Sequence, residues 1–189
     1  MALFSSKEYR PPVVAMPATH GASVVSIDDS AAKAMKGVIA VTHIPGMPDY
    51  LIPQAVAVTA ETFGIAKKAK DALKIKWSNG PMDSLSDAQI DDLLNGIIDK
   101  ISNPGSGVEA TFRWPYVPHA PMEENAACAN VSSSSAELWG GAQIPCTLQR
   151  QLSETLGMPV NSITYNVIRA GGAFGRHLFH DQDVHAAQV

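Results

Sequence analysis

The stretch from residue 136 to residue 175 leaves this chain the fewest choices. Ala136-Glu137-Leu138-Trp139 has the length and composition of a strand. Leu148, Leu152 and Leu156 recur at four-residue spacing, which puts them on one face of a helix. Gly157, with Pro159 beyond it, stops that helix. Ile163-Thr164-Tyr165-Asn166-Val167 is a second strand, and the chain then enters Arg169-Ala170-Gly171-Gly172-Ala173-Phe174-Gly175-Arg176. A backbone so poor in side chains reaches positive φ without penalty and can approach a ligand closely. Successive N–H groups in such a turn can cradle anionic oxygens. Taken alone, the loop serves equally well as a tight turn. It matches neither the G-x-G-x-x-G dinucleotide spacing nor the Lys-Ser/Thr ending of a P-loop.

The first half reads as mixed helix and strand. Residues 22–27, 38–42 and 55–58 are short apolar runs of strand length. Asp28 or Asp29 can cap a short helix running to Lys36, with Gly37 as its stop. Thr59 is placed to cap a following helix on which Phe63, Ala66, Ala69 and Leu73 share a face. Lys74 to Trp77 alternates and returns to strand. Ser86-Asp87-Ala88-Gln89 is a capping box. Behind it Ile90, Leu93, Leu94, Ile97, Ile98 and Ile101 follow amphipathic helical spacing, weakened by about 1 kcal/mol at Gly96. Asn103-Pro104-Gly105-Ser106-Gly107 then breaks the chain. We expect two units, residues 1–102 and 108–189. The second should open with a strand over 108–114, read from its alternation, followed by an irregular passage at Pro115 and Pro118. Residues 125–131 form a further strand, and Asp181 onward a helix with Val184 and Ala187 on its buried face.

Composition narrows the function classes. The chain has 189 residues, enough for a buried core, and 46% of them are apolar. A net charge of −4 gives no electrostatic footprint for nucleic acid. No apolar run approaches the roughly 20 residues a membrane helix needs. The first seven residues lack the apolar core of a secretion signal. Only Cys128 and Cys146 are present. An iron–sulfur cluster needs about four thiolates, so this chain alone cannot hold one. We expect both cysteines to be free.

Trp139-Gly140-Gly141-Ala142-Gln143-Ile144-Pro145 resembles the W-x-x-T-Q-x-P segment of the molybdenum hydroxylases, the molybdopterin-binding subunits of the xanthine dehydrogenase and aldehyde oxidase family. Gly171-Gly172-Ala173-Phe174-Gly175-Arg176-His177 is similar to the G-G-G-F-G-R-R loop of the isoquinoline 1-oxidoreductase beta subunit branch. His119-Ala120-Pro121-Met122-Glu123-Glu124 resembles H-A-x-M-E-P, and residues 66–77 resemble A-x-x-G-x-x-A-L-x-V-x-W. The resemblance runs from about Val13 to Val189. It implies an α+β fold, an α/β-hammerhead-like domain followed by the first part of a molybdenum-cofactor-binding domain.

It also implies a chemistry. The family hydroxylates carbon with oxygen from water, the molybdenum held by a pterin dithiolene. Gln143 matches the glutamine whose amide meets an oxo ligand, donating a hydrogen bond without adding charge. Gly171, Gly172, Ala173, Phe174 and Gly175 match the loop whose amides touch the same cofactor. Arg176 could pair with a cofactor phosphate. The implied cofactor is molybdopterin in its cytosine dinucleotide form, and the implied partners are the remainder of the large subunit and a small iron–sulfur subunit. The substrate would be an aldehyde or an N-heterocycle. Leu178 stands where purine-specific members carry a substrate-binding glutamate, so purine recognition is not expected. The family's catalytic base lies in a Gly-Glu pair, and no such pair occurs here. The expected chain is therefore an N-terminal fragment of a large subunit, or a truncated homologue, without a catalytic residue of its own, inactive and binding no cofactor by itself.

Two other readings stay open. His177, His180, Asp181, Asp183 and His185 crowd nine residues with groups that suit a divalent metal, although H-E-x-x-H is absent. Alternatively, the chain is a non-catalytic interaction domain.

Overall fold

The computed structural model describes residues 9–101, 105, 107, 108 and 110–189, with the side chain of Ile101 left aside. Of the break expected at residues 103–107, Asn103, Pro104 and Ser106 lie outside the described residues. The first half contains β1 (Pro12–Ala15), β2 (Val24–Asp28), α1 (Ser30–Lys33), β3 (Val38–Ile44), β4 (Ala55–Ala60), α2 (Phe63–Asp71) and β5 (Lys74–Trp77). Strand β4 lies between β1 and β3, antiparallel to both, and every one of its six residues is buried. That double pairing explains its run of Ala and Val, with no alternation to mark a wet face. Strands β2 and β5 form a separate antiparallel pair. Ala32, Val58 and Ala69 close a small core between α1, β4 and α2.

Helix α2 begins later than its sequence suggests. Thr59 is not a cap: it pairs with Pro12 and Ala40 inside the sheet. The cap is Thr62, whose Oγ1 accepts from Ile65 N at 3.3 Å. The sheet ladder runs on through Ala60 and delays the helix. Helix α1 is shorter than expected, ending at Lys33, and Asp29 makes no side-chain cap. Instead Asp28 Oδ1 accepts from Ser30 N and Ser30 Oγ.

The connecting helix α3 (Asp87–Ile101) starts on the expected capping box: Gln89 N donates to Ser86 Oγ at 3.3 Å and Ser86 N to Gln89 Oε1 at 2.8 Å. Its apolar face is uncovered among the described residues, with Leu93 64% exposed. The strand expected over 108–114 is absent among its described residues. Alternation makes a strand only where a ladder partner exists. Here Phe112 stacks on Trp114, centroids 5.8 Å apart, and Arg113 reaches back to Asn95 at 2.8 Å.

The second half is built from β6 (Ala127–Val131), β7 (Ala136–Gly140), α4 (Pro145–Leu156), β8 (Ile163–Val167) and α5 (Asp181–Gln188). Strands β6 and β7 are antiparallel, while β7 and β8 are parallel and joined through α4. Pro145 occupies the first turn of α4, and Gly157 ends it at φ 64°. Leu138, Leu148, Leu152, Ile163, Val184 and Ala187 form the main core.

That core is completed from the first half. Ile52, in the β3–β4 connection, is one of its buried members, flanked by Met47 and Tyr50. Tyr50 Oη donates to Glu154, and His185 Nε2 donates to the Pro53 carbonyl at 3.0 Å. Cys128 and Cys146 are both free, the second of them exposed. No helix among the described residues is long and apolar enough to cross a membrane.

Candidate functional site

The turn that carries Gln143 is tightly specified. Strand β7 ends at Gly140 and Gly141 follows it, and neither position has room for a side chain. A Cβ on Gly140 would lie 2.4 Å from Tyr165 Oη and 2.5 Å from Asp183 Oδ1. A Cβ on Gly141 would lie 2.9 Å from His177 Nδ1. Tyr165 Oη, on β8, accepts from Ala142 N at 3.2 Å and donates to Asp183 Oδ1 at 2.8 Å. One hydroxyl thus ties the turn after β7 to the start of α5. Burial pushes the Asp183 carboxyl up to about 6, against the bond from Tyr165, which favours its charged form. Burial also raises the Tyr165 phenol, with the Asp183 charge adding to it. Gln143 itself is exposed, and its side chain makes no hydrogen bond among the described residues. Its backbone N donates to His177 O at 3.1 Å, which joins this turn directly to the glycine loop.

The glycine loop follows β8 with three left-handed residues, Gly172 (φ 104°), Phe174 (φ 49°) and Gly175 (φ 92°). For a bulky residue like Phe174 that conformation is an outlier. Its ring is 77% exposed. Ala173 is buried, so the methyl that replaces a glycine is turned into the protein. A Cβ on Gly172 would meet nothing within 4 Å, which marks the open side of the loop. Among the described residues, the N–H groups of Gly172, Ala173, Phe174 and Gly175 donate to no other protein group. Free amides on an open glycine backbone beside an uncommitted glutamine amide suit an anionic, oxo-bearing ligand. The residues present therefore fit a molybdopterin cofactor.

Arg176 is placed differently from its expected role. Both terminal nitrogens of its guanidinium are held by Asp181, at 2.8 and 2.7 Å, over the face of Phe179. A pair that is bidentate and mostly buried braces the loop against α5 and leaves little of the fork for a phosphate. The crowded histidines and aspartates also part company. His177 Nε2 donates to Asn125 Oδ1 at 2.8 Å, and His180 Nδ1 to Gln151 Oε1 at 2.7 Å. His185 binds Pro53, Asp181 binds Arg176 and Asp183 binds Tyr165. Among the described residues no three His, Cys, Asp or Glu groups converge on a metal position, which counts against the divalent-metal alternative.

The sequence matches His119 to Glu124 to a family motif but gives the segment no role. The segment lies along the glycine loop, with His119 Nδ1 donating to Phe174 O at 2.8 Å and Glu123 Oε2 accepting from Gly171 N. The pairing of Tyr165 with Asp183 was also missed, Asp183 reading in sequence only as a candidate metal ligand. The available signal was Gly140-Gly141, a glycine pair at a strand end, which marks close approach by other atoms.

A strand–helix–strand unit closing on open glycine amides, with a free glutamine tied beside them, defines a cofactor-holding α+β domain. The family model described as "Molybdopterin cofactor-binding domain" matches residues 88–187, over half of the sequence, and the chain belongs to that family. It is 27% identical over 187 residues to the membrane-bound aldehyde dehydrogenase [pyrroloquinoline-quinone] of Gluconacetobacter polyoxogenes, covering 90% of this chain and 24% of that protein. It is 26% identical over 188 residues to isoquinoline 1-oxidoreductase subunit beta of Brevundimonas diminuta, covering 86% and 23%. The fold is similar to quinoline 2-oxidoreductase from Pseudomonas putida 86, with a TM-score of 0.58, 19% identity, and 88% of this chain on 28% of that one. The chain thus spans about a quarter of the length of these relatives.

Proposed function

We propose that this chain contributes the Gln143 turn and the glycine loop to the molybdopterin site of an oxidoreductase that hydroxylates an aldehyde or an N-heterocycle. The observation that carries the reading is the bond from Gln143 N to His177 O, which ties the turn bearing the uncommitted Gln143 side chain to the end of the loop that bears the four free amides. When bound, the molybdenum cofactor supplies the redox chemistry that transfers oxygen from water to carbon, converting C–H and water to C–OH with release of two electrons and two protons.

The residues of the chain bind and orient. The amides of Gly172 to Gly175 donate to an anionic group on the open side of the loop. Phe174 presents its ring beside them. The Gln143 amide donates to oxygen at the reacting centre without placing charge there. No Gly-Glu pair occurs among the 189 residues, so the reading gives this chain cofactor-holding groups and no proton-accepting base. The cytosine dinucleotide form of the cofactor and an iron–sulfur subunit as electron acceptor belong to the same proposal. It is supported by the family match and by the isoquinoline 1-oxidoreductase relative.

The test is Gln143→Ala in the whole enzyme. Losing one preorganised donor should leave cofactor content unchanged and lower turnover about 100- to 1000-fold. Gln143→Glu should be worse, because a carboxylate would face an anionic oxygen. A helix-capping role predicts a lower melting temperature instead. Capping finds no support here, since Ile144 is the N-cap of α4 and no side chain caps it. Normal turnover per molybdenum in Gln143→Ala ends the assignment.

A further inference from the structure

We propose that residues 119–125 form a clamp that presets the glycine loop before any cofactor arrives, with Glu123 and His119 as positioning residues at its two ends. The segment forms no helix or strand and is mostly exposed, yet it makes three hydrogen bonds to one short loop. Gly171 N donates to Glu123 at the entry to the loop, and His119 donates to Phe174 O at its crown. His177 donates to Asn125 at the exit. These contacts bracket all three left-handed residues of the loop.

The glycines divide accordingly. A Cβ on Gly171 would lie 2.9 Å from Glu123 Oε2, and one on Gly175 would lie 3.4 Å from the His119 ring. Those two positions make room for the clamp, and Gly172 is the one that faces open space. The His119 bond falls on the carbonyl of Phe174, the residue whose backbone is least at ease, and so holds it where it would otherwise relax. His119 is steered in turn. Its ring meets the edge of Phe179 at 6.1 Å, and Phe179 lies under the Arg176 guanidinium that Asp181 fixes. The geometry of the loop is therefore referred back to the first turn of α5 through side chains alone. Pro118 and Pro121 restrict the segment and lower the entropy it loses in lying down.

The importance of the clamp for catalysis rests on the cofactor reading above, but its existence does not. Hydrogen exchange of the bonded amides at the two ends of the loop, those of Gly171, Arg176 and Leu178, in the full-length protein, produced in a host unable to make molybdopterin, tests it directly. Glu123→Ala and His119→Ala should each speed exchange in the loop about three- to tenfold, the loss expected for one hydrogen bond. Glu123→Gln still accepts and His119→Gln still donates, so both should stay near wild type. Melting temperatures recorded alongside identify any variant that merely unfolds. Unchanged loop exchange in both alanine variants overturns the clamp, as does acceleration spread equally over β7, α4 and β8. A second arm separates the two readings. Glu123→Ala made in a molybdopterin-competent host should lose part of its cofactor. A loosened loop with full cofactor content would keep the clamp and count against the loop as the holder of the cofactor.

Discussion

Helix α3 and helix α4 carry equally regular apolar stripes, and they meet opposite fates. Leu148 and Leu152 on α4 are fully buried between β8, α5 and the β3–β4 connection. Leu93, Leu94, Ile97 and Ile98 on α3 are all exposed, and the aromatic segment behind it stacks mainly on itself. The periodicity of a helix tells which side is apolar. It does not tell whether the chain brings anything to that side. For α4 the answer lay in neighbouring sequence, a strand on either side at short range. For α3 no such neighbour exists among the described residues.

The largest test of this contrast is a pair of truncations. Leu148→Ala or Leu152→Ala should cost about 2–5 kcal/mol in denaturant titrations. Leu93→Ala should stay within about 0.5 kcal/mol. An equal cost at Leu93 would mean that α3 is covered in solution, and the comparison would collapse.

The second test concerns the buried carboxyl that anchors the α4 side of the molecule. Asp183 has its carboxyl raised from an ordinary 3.8 to about 6 by burial. In that window the folded protein holds a proton that the unfolded chain releases. Its contribution to stability therefore falls as pH rises from 4 to 6, and the cost is fully present at pH 7. His180 and His185 act in the opposite sense. Burial lowers both from 6.5, so the protein loses stability as pH drops below that value. Asp183→Asn keeps an acceptor for Tyr165 and removes the charge. The stability difference between variant and wild type should grow in favour of the variant by about 2 kcal/mol between pH 4 and pH 7. The histidine contribution is common to both and cancels. A difference that stays flat with pH would remove the buried-charge account.

A glycine pair gives the next comparison. Gly140→Ala pushes a methyl into Tyr165 and Asp183 and should cost about 1–3 kcal/mol. Gly96→Ala, where a Cβ meets nothing within 4 Å, should stabilise α3 by up to about 1 kcal/mol. Thermal melts of the two variants should move in opposite directions.

These contrasts also show what the sequence made legible. The capping box at Ser86, the leucine ladder of α4, its stop at Gly157 and strand β8 all follow from contacts within a few residues, and all are present. The glycine loop was legible as open backbone for the same reason. What escaped depends on partners far along the chain. Thr59 reads as a cap until its place in the central strand β4 is known. The histidines after the loop read as a metal cluster until Asn125, Gln151 and Pro53 each claim one. The hold of Glu123 on Gly171 joins residues 48 apart, and no local pattern announces it.

Ile52 carries a consequence for how the protein is made. It belongs to a core whose other buried members lie between Ala136 and Ala187. During synthesis its side chain leaves the ribosome well before any of them exists. At about 5–20 residues per second it waits several seconds with no native surface to cover it. The sheet of the first half can form in that interval, since β1, β3 and β4 are complete by Ala60. The β3–β4 connection then stands ready as an exposed apolar tooth. This is the moment in the life of the chain when a chaperone would find it, and Ile52→Ser should relieve that early hazard at the expense of the finished core.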